Sequence, residues 1–331
     1  MQPVVRQVPF LNSHILRCWS EGFDEPTSRL HVMLLRRDGE LVAGLPLYRA
    51  RGRYRSLSRA HADSIDVVAV GDEDVTAQLP IWADSLTVAH LYRLREDSPL
   101  VTSLPAHPRW SVQSVLKSPY VDLSSGMDQV RQGLSKEFHR TLRRRRRRLT
   151  ELGDVTFVDH PPPNQVESVL NEGFRLEAEG WKGEKGVAVL NLPTHERWFR
   201  SVGEVAEDHG WLRLSSLNLD GRMLAFRYDL HYGEKRYGMI SSYDESPDLS
   251  FSTGSLLLES VLEQSAADAV RTYEFGYGNH PWKYDWTSDE HRVYDLLIFG
   301  SGFTGRAVAG AKRLRDLGRH AEPVVVGSAQ G

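Results

Sequence analysis

The chain has 331 residues, 26% charged and 40% hydrophobic. That is long enough for two domains with their own cores, at about 150 residues each, and it excludes a low-complexity or disordered chain. A net charge of −3 excludes a uniformly basic nucleic-acid binder, and a single cysteine, Cys18, excludes an intrachain disulfide and a cysteine zinc cluster. No apolar run approaches the roughly 20 residues of a membrane-spanning helix, and Met1 to Leu11 lacks the apolar core of a signal peptide, so a cytoplasmic protein with no membrane partner is expected.

In chain order, Asn12 to Glu21 has a helical pattern, Leu30 to Leu35 and Leu41 to Tyr48 form a hairpin about Asp38-Gly39, and strands are expected at Ile65 to Val70 and Trp110 to Leu116, with a helix at Thr76 to Ala83. Ser124-Ser125 predicts the cap of one long helix to Leu152, with Met127, Val130, Leu134, Phe138, Leu142 and Leu149 at helical spacing and Gly153 as its stop. The segment Ser125 to Leu152 carries nine Lys/Arg against three acids, a local +6 that leaves −9 for the remainder. Arg143 to Arg148 cover every azimuth of a helix. Arg145 and Arg146 therefore fall on or beside the apolar stripe and need a carboxylate, a phosphate or a path to water. Arg143, Arg144, Arg147 and Arg148 suit phosphates of a nucleotide or transfer RNA; a solvated basic face would read the same, and no aromatic residues interleave with them.

Beyond the helix, Val155 to Val158 predicts a strand, and Asn164 to Glu179 and His195 to His209 predict helices. Leu212 to Leu219, Arg222 to Tyr232 and Lys235 to Tyr243 predict an antiparallel meander with turns at Asp220-Gly221 and Gly233-Glu234. A helix over Gly254 to Ala269, strands at Thr272 to Phe275 and Tyr294 to Phe299, and a basic helix at Gly302 to Leu317 complete the reading. The histidines have no metal-ligand spacing, and neither a Gly-x-Ser-x-Gly elbow nor a histidine near Cys18 is present, which disfavours covalent hydrolase chemistry.

Several stretches together resemble the CelD-like acetyltransferase branch of the GNAT superfamily, itself similar to the FemABX aminoacyl-transferases. They are Ser118-Pro119-Tyr120-Val121-Asp122-Leu123, the arginine helix, Glu177-Ala178-Glu179-Gly180-Trp181-Lys182-Gly183, the meander ending Ser242-Tyr243-Asp244, Thr253-Gly254-Ser255-Leu256-Leu257, Tyr273-Glu274-Phe275-Gly276-Tyr277-Gly278, and Trp282-Lys283-Tyr284. The resemblance spans about Pro119 to Phe299. It implies an α+β GNAT fold, a central mixed, mostly antiparallel sheet flanked by helices, in two GNAT-like halves: a degenerate domain over 1–123, a catalytic domain over 124–300, and a tail over 301–331.

It also implies direct acyl transfer to an amine or hydroxyl of a small-molecule acceptor, with no metal and no permanently bound cofactor. Acyl-CoA is the first expected co-substrate. Aminoacyl-tRNA is the alternative, supported by the FemABX likeness, the cationic helix and a loop that departs from the usual GNAT pattern of a basic residue or Gln followed by spaced glycines. Ser252, Thr253, Gly254 and Ser255 would grip the donor's phosphates at a helix N-terminus; a plain helix cap uses the same residues. Glu274 would take the proton of the attacking amine, or serve as a structural carboxylate. Lys283 would steady the oxyanion, and Tyr243 and Asp244 would act as acid or substrate anchor. Trp181, Lys182, Arg175 and Trp282 would border the acceptor. A non-catalytic nucleic-acid or nucleotide-sugar module built on the arginine helix is the remaining alternative.

Overall fold

The computed structural model describes residues 8–23, 29–50, 52–57, 66–69, 86–102, 110–246 and 252–310; the helix expected at Thr76 to Ala83 lies outside them. The strands are β1 (Leu30–Arg37), β2 (Glu40–Ala50), β3 (Arg53–Ser56), β4 (Val68–Ala69), β5 (Val88–Arg95), β6 (Trp110–Asp122), β7 (Val155–Val158), β8 (Leu212–Leu219), β9 (Arg222–Tyr232), β10 (Lys235–Tyr243), β11 (Thr272–Glu274) and β12 (Glu290–Phe299). They form one sheet in the order β1-β2-β3-β5-β12-β6-β11-β10-β9-β8-β7, with β4 pairing β2. Its pairs are antiparallel except β3–β5 and β10–β11. The helices are α1 (Ser13–Gly22), α2 (Pro99–Thr102), α3 (Met127–Gly133), α4 (Lys136–Thr150), α5 (Val166–Glu179), α6 (Trp181–Glu184), α7 (Pro193–Asp208), α8 (Thr253–Ala267) and α9 (Pro281–Tyr284), and residues 303–310 are also helical. None is long and apolar enough to cross a membrane.

The meander β8-β9-β10 has the bounds expected from its turns. Asp220 and Gly221 both have positive φ, 49° and 81°, and Asp38 and Gly39 repeat this at 52° and 88°, the geometry that a two-residue hairpin turn requires. The helix expected from Ser125 to Leu152 is two helices. Apolar spacing runs through the join, but Leu134 is extended (ψ 145°) and the Ser135 side chain accepts a hydrogen bond from Phe138 N, capping a new helix. The first begins after Gly126, with φ 82° and no side-chain cap, rather than at Ser124-Ser125.

A division at residue 123 does not separate two sheets. The long strand β6 pairs β12 along residues 110–119 and β11 at Tyr120 to Asp122. The C-terminal strand β12 lies between β5 and β6, inside the N-terminal sheet, while α1 packs on α7, where Gly22 lies against Trp198. Each half thus lends an element to the other.

Around β8-β9-β10 the sheet is covered on both faces. One cluster joins Phe10, from the turn before α1, with Trp19, Phe174, Trp198, Phe199, Phe226 and Tyr228 from α1, α5, α7 and β9. On the opposite face Leu142, Leu149, Leu257, Val261, Tyr273 and Phe275 join α4, α8 and β11. Contact on the first face is close: a Cβ at Gly173 in α5 would lie 2.4–2.5 Å from the Phe226 ring. Alanine ordinarily favours a helix interior by about 1 kcal/mol over glycine, but here overpacking reverses the sign. Gly173→Ala should lower stability by about 1–3 kcal/mol in denaturant unfolding.

Candidate active site

The strand pair β10–β11 is short. Lys235, Arg236 and Tyr237 pair with Thr272, Tyr273 and Glu274, and the ladder then stops although β10 continues to Tyr243. A bulge at Met239 breaks the register of β10 against β9 immediately beyond this point, which bends a strand locally. The other strand leaves toward β6, with Phe275 N donating to Pro119 O and Gly278 N to Lys117 O. A wedge therefore opens between residues 238–243 and 275–278.

Hydrogen-bond phase determines which backbone groups face it. Asp244 N donates to Leu224 O, and in an antiparallel ladder closely and widely spaced pairs alternate. Hence Phe226 and Ser242 form a bonded pair, while Ser241 and Tyr243, opposite Arg227 and Ala225, turn their N–H and C=O groups away from β9 and into the wedge. Lys182 corroborates this: its Nζ donates to Ser241 O at 2.9 Å and to Glu177 Oε1 at 2.7 Å. Glu177 is buried, its Oε2 accepting Val189 N at 2.8 Å. On the facing wall Lys283, 3% exposed, donates to Gly276 O at 2.9 Å and Tyr277 O at 2.8 Å. Its neighbour Trp282 stands half-open with its ring edge-on to Phe275. Sequence reading missed His280 in this group. Burial and the nearby charges of Lys283 and Lys182 push its imidazole below the usual histidine range, so it is neutral at pH 7.

At the wedge mouth, α8 begins at Thr253. Ser252 has a left-handed backbone (φ 50°) and its side chain caps nothing, while the Thr253 hydroxyl donates to Leu224 O at 3.2 Å. Neither side chain covers the first-turn N–H groups, which are the part of a helix that attracts anions. A Cβ at Gly254 would lie 3.1 Å from the Tyr243 ring, so the end of β10 abuts this turn, with Ser255 N closing it on Ser252 O. Tyr243 is 41% exposed, and burial and Glu245 raise its phenol above the ordinary tyrosine value. Asp244 opposes burial by accepting from Ser246 N and pairing with Arg222, and its carboxyl falls below the usual range. A cavity of about 470 Å³ lies beside it, lined by Arg175, Glu179, Gly180, Arg222, Tyr243 and Glu245 among others. Arg175 pairs there with Glu172 and Glu179 on its own helix, and Trp181 N donates to Glu245 Oε2 at 3.2 Å.

Glu274 lies at the apex with different surroundings from those its role as a base requires. It is 3% exposed, with Arg95 Nη1 at 2.9 Å and Lys235 Nζ at 3.1 Å from Oε1, and His291 Nε2 at 3.6 Å from Oε2. Burial alone would raise its carboxyl. His291 and the charges of Arg95 and Lys235 outweigh that and bring it down to about 2. A carboxylate so held is a poor proton acceptor near neutral pH.

The arginine helix is mostly solvated. Of the three outcomes open to it, carboxylate, phosphate or a path to water, Arg146 takes the first, meeting Glu259 Oε2 on α8 at 2.6 Å. Arg143, Arg144, Arg147 and Arg148 are exposed, Arg147 reaching Glu151 at 3.5 Å. Among the described residues no group of three or more His, Cys, Asp or Glu is placed to hold a metal ion.

Comparison with known proteins agrees with this architecture. Residues 136–284 match the family model of the acetyltransferase (GNAT) domain. The whole chain superposes on FemX at 9% identity, with a TM-score of 0.59 over 92% of this chain and 94% of that one. A conserved protein of unknown function from Bacteroides thetaiotaomicron gives 13% identity and 0.58, over 89% and 93%. L-PGS from Bacillus licheniformis gives 12% and 0.52, over 91% and 96%. These likenesses are of fold. The comparison with curated proteins gave no match. Residues 136–284 thus carry a GNAT-type acetyltransferase domain match, and the fold of the chain is shared with FemX.

The apex cluster predicts an acid transition. Glu274 falls from an ordinary value of 4.5 to about 2 on folding, so its contribution of roughly 3 kcal/mol is present above pH 4.5 and is lost as pH falls toward 2. Glu274→Gln, which leaves Arg95 and Lys235 buried without their anion, should cost about 3–5 kcal/mol at pH 7 by denaturant unfolding, and the variant should lose much of the wild-type slope below pH 4.5.

Proposed function

We propose that the chain transfers an acyl group from acyl-CoA, held in the wedge, to an amine of a small-molecule acceptor. The observation that carries this reading is the three-residue β10–β11 ladder, beyond which Ser241 and Tyr243 turn their backbone N–H groups into the gap. The donor's pantetheine would lie along β10 as a missing strand would, its phosphates at the first turn of α8, around Thr253, Gly254 and Ser255. The thioester oxygen would accept from Ser241 N–H, with the Lys283 charge nearby, so that charge developing on oxygen meets donors already in place.

The acceptor would enter from the cavity beside Tyr243, bordered by Arg175, Trp181 and Asp244. Its nitrogen attacks the thioester carbon, a C–N bond forms, the C–S bond breaks, and the electron pair leaves on sulfur. His280, neutral at pH 7, takes the nitrogen's proton in place of Glu274, and the Tyr243 phenol, which keeps its proton, supplies one to the departing thiolate. Ser252 would serve through backbone geometry alone, and Trp282 as an apolar wall.

A second reading, with aminoacyl-tRNA as donor, is favoured by the exposed strip Arg143, Arg144, Arg147 and Arg148 and by the fold shared with FemX. Acetyl-CoA at saturation should raise the unfolding midpoint by roughly 3 °C or more, because a ligand bound only by the native state stabilises it. No rise with any acyl-CoA, together with retention of charged tRNA that weakens steeply with salt, would favour the second donor.

Two substitutions test the chemistry. Lys283→Ala should lower kcat about 100-fold with little change in KM. His280→Ala should lower kcat by about 100-fold and remove the acid limb of kcat/KM, which in the wild type lies below pH 6.5 because the folded imidazole titrates below that value. An unchanged profile in His280→Ala would transfer the proton to solvent.

A further inference from the structure

We propose that Arg227 and Tyr273 recognise the far end of the transferred acyl group, and that this end is a carboxylate. The inference rests on the acyl-CoA reading above and deepens it to a substrate class: the donor is a thioester of a short dicarboxylic acid. Arg227 lies on β9 opposite Ser241, the residue whose N–H faces the wedge, and is 4% exposed. A Cβ built on Gly238, the first residue of β10 beyond the paired stretch, would meet both Arg227 Nη2 and the Tyr273 hydroxyl at 2.8 Å. These two polar groups therefore stand at the apex, on the α8 side, where glycine is needed to let them approach the strand.

Hydrogen-bond accounting points to a missing partner. Arg227 Nε donates to Tyr273 OH at 2.9 Å and lies 3.5 Å from Asp229 Oδ1. Nη1 and Nη2 have no hydrogen-bond partner among the described residues, although a guanidinium carries four of its five N–H groups there. Asp229 does not answer them. Its Oδ2 accepts from Arg236 Nε at 2.9 Å and Tyr273 OH at 3.0 Å, and its Oδ1 accepts no hydrogen bond.

The other nearby carboxylate is also taken. Asp159 is committed to the neighbouring cations, with Arg236 Nη1 at 2.8 Å and Arg213 Nε at 3.6 Å. Neither Nη of Arg227 is among the fully buried unpaired atoms of the described residues, so both keep access to a ligand, and a carboxylate arriving between them satisfies charge and geometry together. An acyl chain whose carbonyl sits at Ser241 N–H, with its sulfur toward the mouth of the wedge, runs toward Gly238 and ends at this group.

Equilibrium titration of the full chain with coenzyme A, acetyl-CoA and succinyl-CoA tests this. The expected result is about tenfold or tighter binding of succinyl-CoA over acetyl-CoA, a ratio that needs no variant to fold. In Arg227→Gln and Arg227→Lys the ratio should collapse toward one while coenzyme A itself binds as before. Equal affinity of the wild type for the two thioesters overturns the inference and leaves the donor reading standing, as does a ratio unchanged in both folded variants. If none of the three ligands binds, the donor reading fails and the inference falls with it.

Discussion

The geometry of the molecule depends on where one buried carboxylate holds its cations. Glu274 on β11 gathers Arg95 from β5, Lys235 from β10 and His291 from β12. Removing these charges from water is expensive, and the cost is recovered only while they stay together. The cluster therefore fixes the last point at which β10 and β11 run side by side. On the other face of the sheet Arg227, Tyr273, Asp229 and Arg236 pin the same point. Past it the bulge at Met239 and the turn of residues 275–278 toward β6 carry the strands apart. The opening is thus a consequence of charge placement, with backbone N–H groups exposed along one wall and two lysines bracing carbonyls on both.

The same cluster ties the two halves together. Arg95 and His291 lie on β5 and β12 on one side of β6, whereas Lys235 and Glu274 lie beside the wedge on the other, and β6 joins the two parts of the sheet. With α1 lent to one half and β12 to the other, the N-terminal third contributes directly to the placement of the apex. It is more than a packing surface, since without Arg95 the Glu274 carboxylate loses one of its two closest cations.

Much of this was legible where local chemistry decides the structure. The Asp-Gly turns, the three meander strands to the residue, and the need of Arg146 for a carboxylate, a phosphate or a path to water all follow from positive φ, period-two patterning and helical azimuth. The break at Leu134-Ser135 was not, because the apolar spacing Val130, Leu134, Phe138 continues across it while only the cap at Ser135 marks the interruption. Strand β5 was not read at all. Glu274 was recognised as a strand-end carboxylate, yet its partner Arg95 lies 179 residues away, and no spacing rule links such a pair. Arg227 was hidden for a related reason: within β9 it reads as one cation in an apolar strand, and only the fold shows how few of its donors are used. The lowered imidazole of His280 is not legible in the sequence, because it comes from burial and from two lysines brought beside it by the fold.

The central claim is that the gap between β10 and β11 receives the donor, with Ser241 and Tyr243 offering their N–H groups to it. Amide hydrogen exchange of the full chain, with and without saturating acyl-CoA, measures this most directly. The account predicts fast exchange at Ser241 and Tyr243 in the free protein and protection on adding donor that is confined to residues 238–243 and the first turn of α8. Slow exchange at both amides in the free protein, or protection confined to α4, would contradict it.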